Sequence, residues 1–445
     1  MPSRDLANSI CDTLQYAGFQ AYLVGGCVRD VLLVREPADY DVTTDATPEQ
    51  VMQLFPGSLG VGAQFGVVLV ERDGQTVEVA TFREEFGYSD GRHPDEVRYA
   101  SKPQDDVRRR DFTINGLLMR HDSGEVLDFV GGQADLQAGI VRAIGEPERR
   151  FVEDKLRMLR AVRFSARFGY SVEPLTFAAI QKHAREIHVV SAERIREELS
   201  KLLTEGKARR GLELLDQTGL LAEVLPEIAA MQGIQQPPEF HPEGDVWIHT
   251  QIMLEGLPAG CSRTLAWGVL LHDVGKPPTF RPASETGDRI RFDSHVDVGV
   301  RMAGEICRRL KFSNDEIEQI QALVANHMKF KDVAQMRKST LKRFVRLPRF
   351  GEHLALHELD CRASHGRMDA LTIVQEFLAA TPPEQVRPAR LLTGDDLNEM
   401  GYAPGPQFQR ILGALEDAQL EGSLTTKAEA REYVRNHYPL ARSGR

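Results

Sequence analysis

The 445-residue chain predicts an α+β head followed by a mostly α-helical body, and three observations carry that expectation. Before about residue 145, short apolar or alternating runs bounded by glycine are interspersed with helical spacing, the pattern of strands and helices layered in one domain. Residues 65–83, "FGVVLVERDGQTVEVATFR", hold two β-rich runs divided by Asp73-Gly74, a hairpin signal. From about Glu148 onward the spacing turns helical, with little strand character to the end.

Taken in order, residues 5–18 predict a helix. "AYLVGG" (21–26) follows as a short buried strand ending in two glycines, then "CVRDVLL" (27–33) as a helix. "YDVTT" (40–44) predicts a strand with its polar triplet at the rim. In the helical part, "QQPPEFHPEGD" (235–245), "PPTFRPASETGDRIRFD" (277–293) and "PEQVRPARLLTG" (383–394) are breaks. Boundaries near 145, 235, 330 and 390 result, grouped as a head over 1–145, a neck over 146–235, a helical domain over 236–385 and a tail over 386–445.

A chain of this length exceeds one ordinary domain, and its 42% hydrophobic content is that of a soluble globular protein. Five scattered cysteines show neither metal-ligand spacing nor a disulfide framework, which predicts a reducing compartment. With no secretory segment and no apolar run of membrane-span length, the expectation is a cytoplasmic protein without a membrane partner. The net charge of −10 describes the whole surface, whereas 149–210 and 329–349 are rich in Arg and Lys. A polyanionic substrate therefore stays open.

If "YDV" is a strand, Asp39 and Asp41 share a face, since side-chain direction repeats every two residues. Two such charges are costly together unless a cation lies between them, and magnesium supplies that charge while bridging phosphates. Glu78, from the second strand of the hairpin, is either a third carboxylate or a charge at a sheet edge. Gly25 and Gly26 lie between a strand and a helix containing Arg29, a place where backbone amides can approach phosphate or where the chain simply turns.

Four segments in order resemble the class II tRNA nucleotidyltransferase and bacterial poly(A) polymerase family: "LVGGCVRD", "DYD", "RRRDFTINGLLM" (108–119) and the run 128–169 that contains "EDKLRMLRAVRFSARF". The resemblance is dense through residue 210 and weaker but continuous afterward. It implies a nucleotidyltransferase sheet in which Asp39 and Asp41 hold magnesium. The reaction implied is attack by an RNA 3′ hydroxyl on the α-phosphorus of a nucleoside triphosphate, with loss of pyrophosphate. It implies that Gly25, Gly26, Arg29 and Arg110 face the triphosphate, with Asn115 at the sugar or supporting the turn. Asp111 is either part of that set or a local brace. Asp154, Arg157 and Arg160, spaced by threes, are expected as near neighbours on a helix, where the family reads the base edge with an Asp and an Arg. "ERIREELSKLL" (193–203) resembles the family's helix-supporting motif, and 83–106, with Tyr88 and Tyr99, its flexible loop that takes part in adding the terminal A.

A second constellation spans 249–360: His249, "LLHDVGK" with His272 and Asp273, His295, His327 and Asp360. It resembles the HD phosphohydrolase superfamily. His249, His272, Asp273 and Asp360 would form its core metal pattern, and His295 and His327 would complete a second position. Imidazole with carboxylate suits a divalent transition metal that can activate water against a phosphoester. Further on, Gly394, Asp395, Leu397, Gly401, Pro404, Gly405 and Pro406 resemble the family's tail motif.

The product expected is CCA on the tRNA 3′ end, made from CTP and ATP, with no DNA partner. Three other readings compete: addition of A only, poly(A) tailing, and an HD-domain metal-dependent phosphohydrolase with an RNA-binding head. Tailing is disfavoured because "QFGVVLVERDG" (64–74) stands where that branch usually has an Arg/His-rich stretch, and the C-terminal end is short and mixed in charge.

Overall fold

The computed structural model describes residues 3–60, 66–87 and 96–440. They fall into two compact units. The first comprises Met1–Gln232, Leu254–Ala266 and Ile306–Phe312, and the second Gly233–Met253, Trp267–Glu305 and Ser313–Arg445.

The first unit opens with α1 (Ser3–Tyr16), β1 (Ala21–Val24), α2 (Gly26–Leu32), β2 (Asp41–Thr44) and α3 (Pro48–Leu54). The predicted hairpin follows as β3 (Val67–Arg72) and β4 (Gln75–Thr81), turning at Asp73-Gly74. Next come β5 (Arg83–Phe86), β6 (Glu96–Tyr99), α4 (Pro103–Arg108), β7 (Leu117–Met119) and β8 (Val126–Asp128). Six strands form one sheet in the order β3-β4-β2-β1-β7-β8, with β2 and β4 parallel and the other neighbours antiparallel.

Alternation decides what each face carries. Leu23, Val42, Val68, Val77 and Val79 turn to one side and pack with Leu6, Ile10 and Leu14 of α1 in the main core. The opposite face receives Tyr22, Val24 and Leu118, packed with Phe82 and with Val107 of α4. Asp41 and Glu78 project from that same face, because Val24, Asp41 and Glu78 are register partners across β1, β2 and β4.

The expected flexible segment 83–106 contains more order than its polar composition suggests: β5 and β6 pair as an antiparallel ribbon from Arg83↔Tyr99 to Phe86↔Glu96. Backbone pairing there does not require apolar side chains. Tyr88 lies outside the described residues.

Past α5 (Gly132–Ala138) the first unit becomes helical through α6 (Pro147–Glu153), α7 (Leu156–Phe168), α8 (Pro174–His183) and α9 (Ala192–Thr204). The amphipathic α7 and α9 pack together and bury an ion pair, Arg163 Nε to Glu198 Oε2 at 2.6 Å. The helix-supporting reading of 193–203 matches this placement. In the second unit the elements that matter are the helices Asn314–Asn326 and Phe350–Ala363, which lie wholly within it, and the parts of Val246–Glu255, Arg263–Leu271 and His295–Arg309 that belong to it.

Candidate active sites

In the head, β2 begins at Asp41, so Asp39 lies just ahead of the strand rather than inside it. On the β1 side the pairing stops there: β1 ends at Val24, opposite Asp41, and the chain then turns at Gly25 (φ 76°), so β1 offers Asp39 no partner. Asp39 is exposed and Asp41 half-buried. Burial, then the charges of Asp39 and Glu78, push the Asp41 carboxyl up to about 7 against the pull of Arg110. Like charges gathered on oxygen-only donors fit a hard divalent cation. Glu78 is exposed beside Asp41 on β4. At Gly25 the positive φ suits glycine, and a Cβ there would come 3.3 Å from Arg110 Nη1. Gly26 opens α2.

The basic residues around this rim are already partnered. Arg29 is buried (4% exposed), donates from Nη1 to Asn115 Oδ1 at 2.6 Å, pairs with Asp30, and lies over the Phe164 and Phe168 rings. Arg110 pairs with the fully buried Asp106 at 3.0 Å. Asp111 accepts from Arg160 Nη2 at 2.7 Å, from Asn115 Nδ2 at 3.0 Å and from the Phe112 amide. Burial alone would raise its carboxyl, but the Arg160 charge and these hydrogen bonds hold it down to about 2. Arg29, Asn115, Asp111 and Arg160 thus form one connected network.

Asp154 departs from the expected helix. It sits in extended backbone (φ −147°, ψ 106°) at the joint between α6 and α7, while Arg157 and Arg160 lie on α7. Its carboxylate accepts the Leu156 amide at 3.0 Å, the i→i+2 bond of an Asx turn, which competes with continuing the helix. Arg194 of α9 forks onto the same carboxylate at 2.7 and 3.3 Å. Arg157 donates to Glu153 Oε2 and to the Arg109 carbonyl, both at 2.9 Å. Asp154 and Arg157 remain adjacent, the Arg157 amide bonding the Asp154 carbonyl at 3.1 Å.

The second unit gathers all six predicted residues. His249, His272 and Asp360 bring ligand atoms within 4.8 Å of one another, and so do Asp273, His295 and His327. His272, His295 and His327 each bond through Nδ1 to a carbonyl three residues back, Val269, Phe292 and Val324, at 2.7–2.9 Å. That leaves every Nε2 facing inward. The Nε2 atoms of His249, His272, His295 and His327 and Oδ1 of Asp273 are buried without a hydrogen bond, which is costly unless a cation takes them up. The closest approaches are ion-pair distances: His272 to Asp273 at 3.0 Å and His249 to Asp360 at 3.2 Å.

Gly275 makes the assembly possible, since a Cβ there would collide with the His295 carbonyl oxygen and the Gly299 nitrogen. Buried Lys276 bonds Asp273 Oδ2 at 2.7 Å and Gln236 Oε1 at 2.6 Å. A cavity of about 740 Å³, lined in part by His241, Lys276, His295, His327 and Asp360, opens beside the ring. Sequence reasoning missed Lys276, Gln236, His241 and Glu243; only the nearness of Lys276 to His272 within "HDVGK" pointed to any of them.

A mixed sheet offering carboxylates at the start of a central strand, followed by helices, defines a nucleotidyltransferase head, here in a chain that also carries an HD-type metal unit. Family models agree: residues 21–142 match the Poly A polymerase head domain, 169–232 the probable RNA and SrmB-binding site of polymerase A, and 245–358 the HD domain. The CCA-adding enzyme of Levilactobacillus brevis is 32% identical over 429 residues, 96% of this chain and 96% of the relative. That of Latilactobacillus sakei subsp. sakei is 40% identical over 270 residues, 60% and 68% of the two chains. The crystal structure of the Bacillus stearothermophilus CCA-adding enzyme in complex with CTP superposes with a TM-score of 0.75, at 27% identity over 98% of each chain. The chain belongs to the CCA-adding enzyme family. Among the described residues no helix is long and apolar enough to cross a membrane.

Proposed function

We propose that this protein completes the 3′ end of tRNA in the cytoplasm, adding CMP, CMP and AMP from CTP and ATP and releasing pyrophosphate. The observation that carries the reading is the match to a CCA-adding enzyme over 96% of both chains. Asp39 and Asp41, with Glu78 in register beside Asp41, would hold magnesium, which when bound supplies the charge that steadies the triphosphate and favours the 3′ alkoxide. Gly25 and Gly26 would let the backbone approach phosphate at the start of α2. Arg110 would face it, and Arg29, Asn115, Asp111 and Arg160 would keep that surface in place. Asp154 would accept from an exocyclic amino group while Arg157 donates to the ring edge, so protein side chains select the base. Incubation with tRNA ending before CC, after CC and after CCA, with each labelled nucleoside triphosphate, tests the reading. CMP and then AMP joined to the shortest substrate is the expected result; AMP joined only to the CC-ended tRNA means A-only addition, and long A tracts mean tailing.

A second activity is supported by the bare imidazole nitrogens of the HD unit: hydrolysis of a phosphoester with a divalent transition metal at His249, His272, Asp273, His295, His327 and Asp360. Release of phosphate that depends on Asp273 but not on Asp41 is its test.

A further inference from the structure

Three of the four imidazoles in the HD ring are aimed by their own backbone, and the fourth is not. His249 lies inside the helix Val246–Glu255, where the carbonyl three residues back, that of Val246, accepts the Thr250 hydroxyl at 2.8 Å. Its Nδ1 turns instead to Glu243 Oε1, at 2.6 Å, from the Pro/Gly-rich loop before the helix. The same oxygen lies 2.8 Å from His241 Nδ1. The Glu243 side chain is 7% exposed, and its second oxygen is buried without a partner.

We propose that Glu243 is a positioning residue that sets the tautomer and direction of His249, so that Nε2 faces the metal position shared with His272 and Asp360. The proposal rests on the reading of the HD unit as a metal site. A carboxylate behind an imidazole differs from a carbonyl: it fixes the proton on Nδ1 and makes Nε2 the more basic ligand. His241, Glu243 and His249 also have ligand atoms within 4.8 Å, which invites reading them as a third metal set. The separations decide against it. Two ligand atoms on an ion with bonds of about 2.0–2.2 Å stand roughly 3 Å or more apart, whereas 2.6 and 2.8 Å are hydrogen-bond contacts. Glu243 therefore serves two imidazoles through one oxygen: His249 toward the metal position, His241 at the wall of the cavity.

The test is Mn²⁺ binding by the full chain after removal of bound metal, followed by equilibrium dialysis. The part of the isotherm lost in Asp273→Ala defines the HD sites. Glu243→Gln keeps the shape but loses the charge, and is expected to weaken that part about 10- to 100-fold while nucleotide addition to tRNA stays at the wild-type rate. His241→Ala is expected to leave both stoichiometry and affinity unchanged. Wild-type affinity in E243Q overturns the proposal, and loss of one equivalent in H241A overturns it in favour of a third ligand set. If D273A and the wild type bind Mn²⁺ alike, it is the metal reading of the unit that fails. Should E243Q lose its thermal transition, Glu243→Asp, one methylene too short to reach both rings, replaces it with the same expected weakening.

Discussion

Asp41 and Asp111 are two head carboxylates that the fold drives in opposite directions. Asp41 is pushed up to about 7 by burial and by Asp39 and Glu78, so a cation beside it would favour its ionised form at neutral pH. Asp41→Ala is expected to lower CMP and AMP incorporation at least about a thousandfold, measured on labelled tRNA, without altering Mn²⁺ uptake by the HD unit. Asp111, held down to about 2 by Arg160 despite burial, gains stability from being ionised. Its folded value lies below its unfolded value of about 3.9, so the contribution is complete above that pH and fades as pH falls toward 2. Asp111→Asn should therefore destabilise the protein by about 3 kcal/mol near pH 7, and urea melts of the two proteins should draw together as pH falls from about 4 toward 2.

Among the elements, the turn from His272 to Lys276 and the helix beginning at His295 touch through Gly275. Gly275→Ala forces these backbones apart, with an expected loss of about 1–3 kcal/mol in denaturant melts and weakened Mn²⁺ binding by the HD unit. This glycine shows what the sequence made legible and what it did not. The D-x-D pair, the Asp73-Gly74 hairpin and the His-Asp doublet are local patterns, so the strands and most candidate ligands could be placed from them. Glu243 sits in a Pro/Gly-rich loop with no periodicity to expose its direction. Arg194 reaches Asp154 from 40 residues away, and Asp154 left its helix because an Asx turn onto the Leu156 amide outcompeted helical continuation. Partners chosen by tertiary packing leave no spacing signal.

For the whole molecule, a net charge of −10 and a polyanionic substrate are compatible only if positive charge is gathered locally, as along α7, whose 13 residues hold arginines and no acid. Binding then depends on releasing counterions from the RNA. The KM for tRNA is expected to rise steeply between about 50 and 200 mM salt while kcat changes little, measured at saturating nucleotide. An unchanged KM over that range would mean that shape and hydrogen bonding, rather than charge, hold the RNA.

The in-register row of Val24, Asp41 and Glu78 also governs which insertions and deletions the head can survive. Extra residues at Asp73-Gly74 lengthen a loop and leave the pairing of β4 with β2 as it is. One extra residue between Val77 and Glu78 is different: it would carry Glu78 to the α1 side of the sheet and Val79 out of the core together, or else, if those two hold their places, turn Val77 out of the core. Length can drift freely at the tip of this hairpin, whereas along its second strand the residue count is as much a part of the site as the carboxylates are.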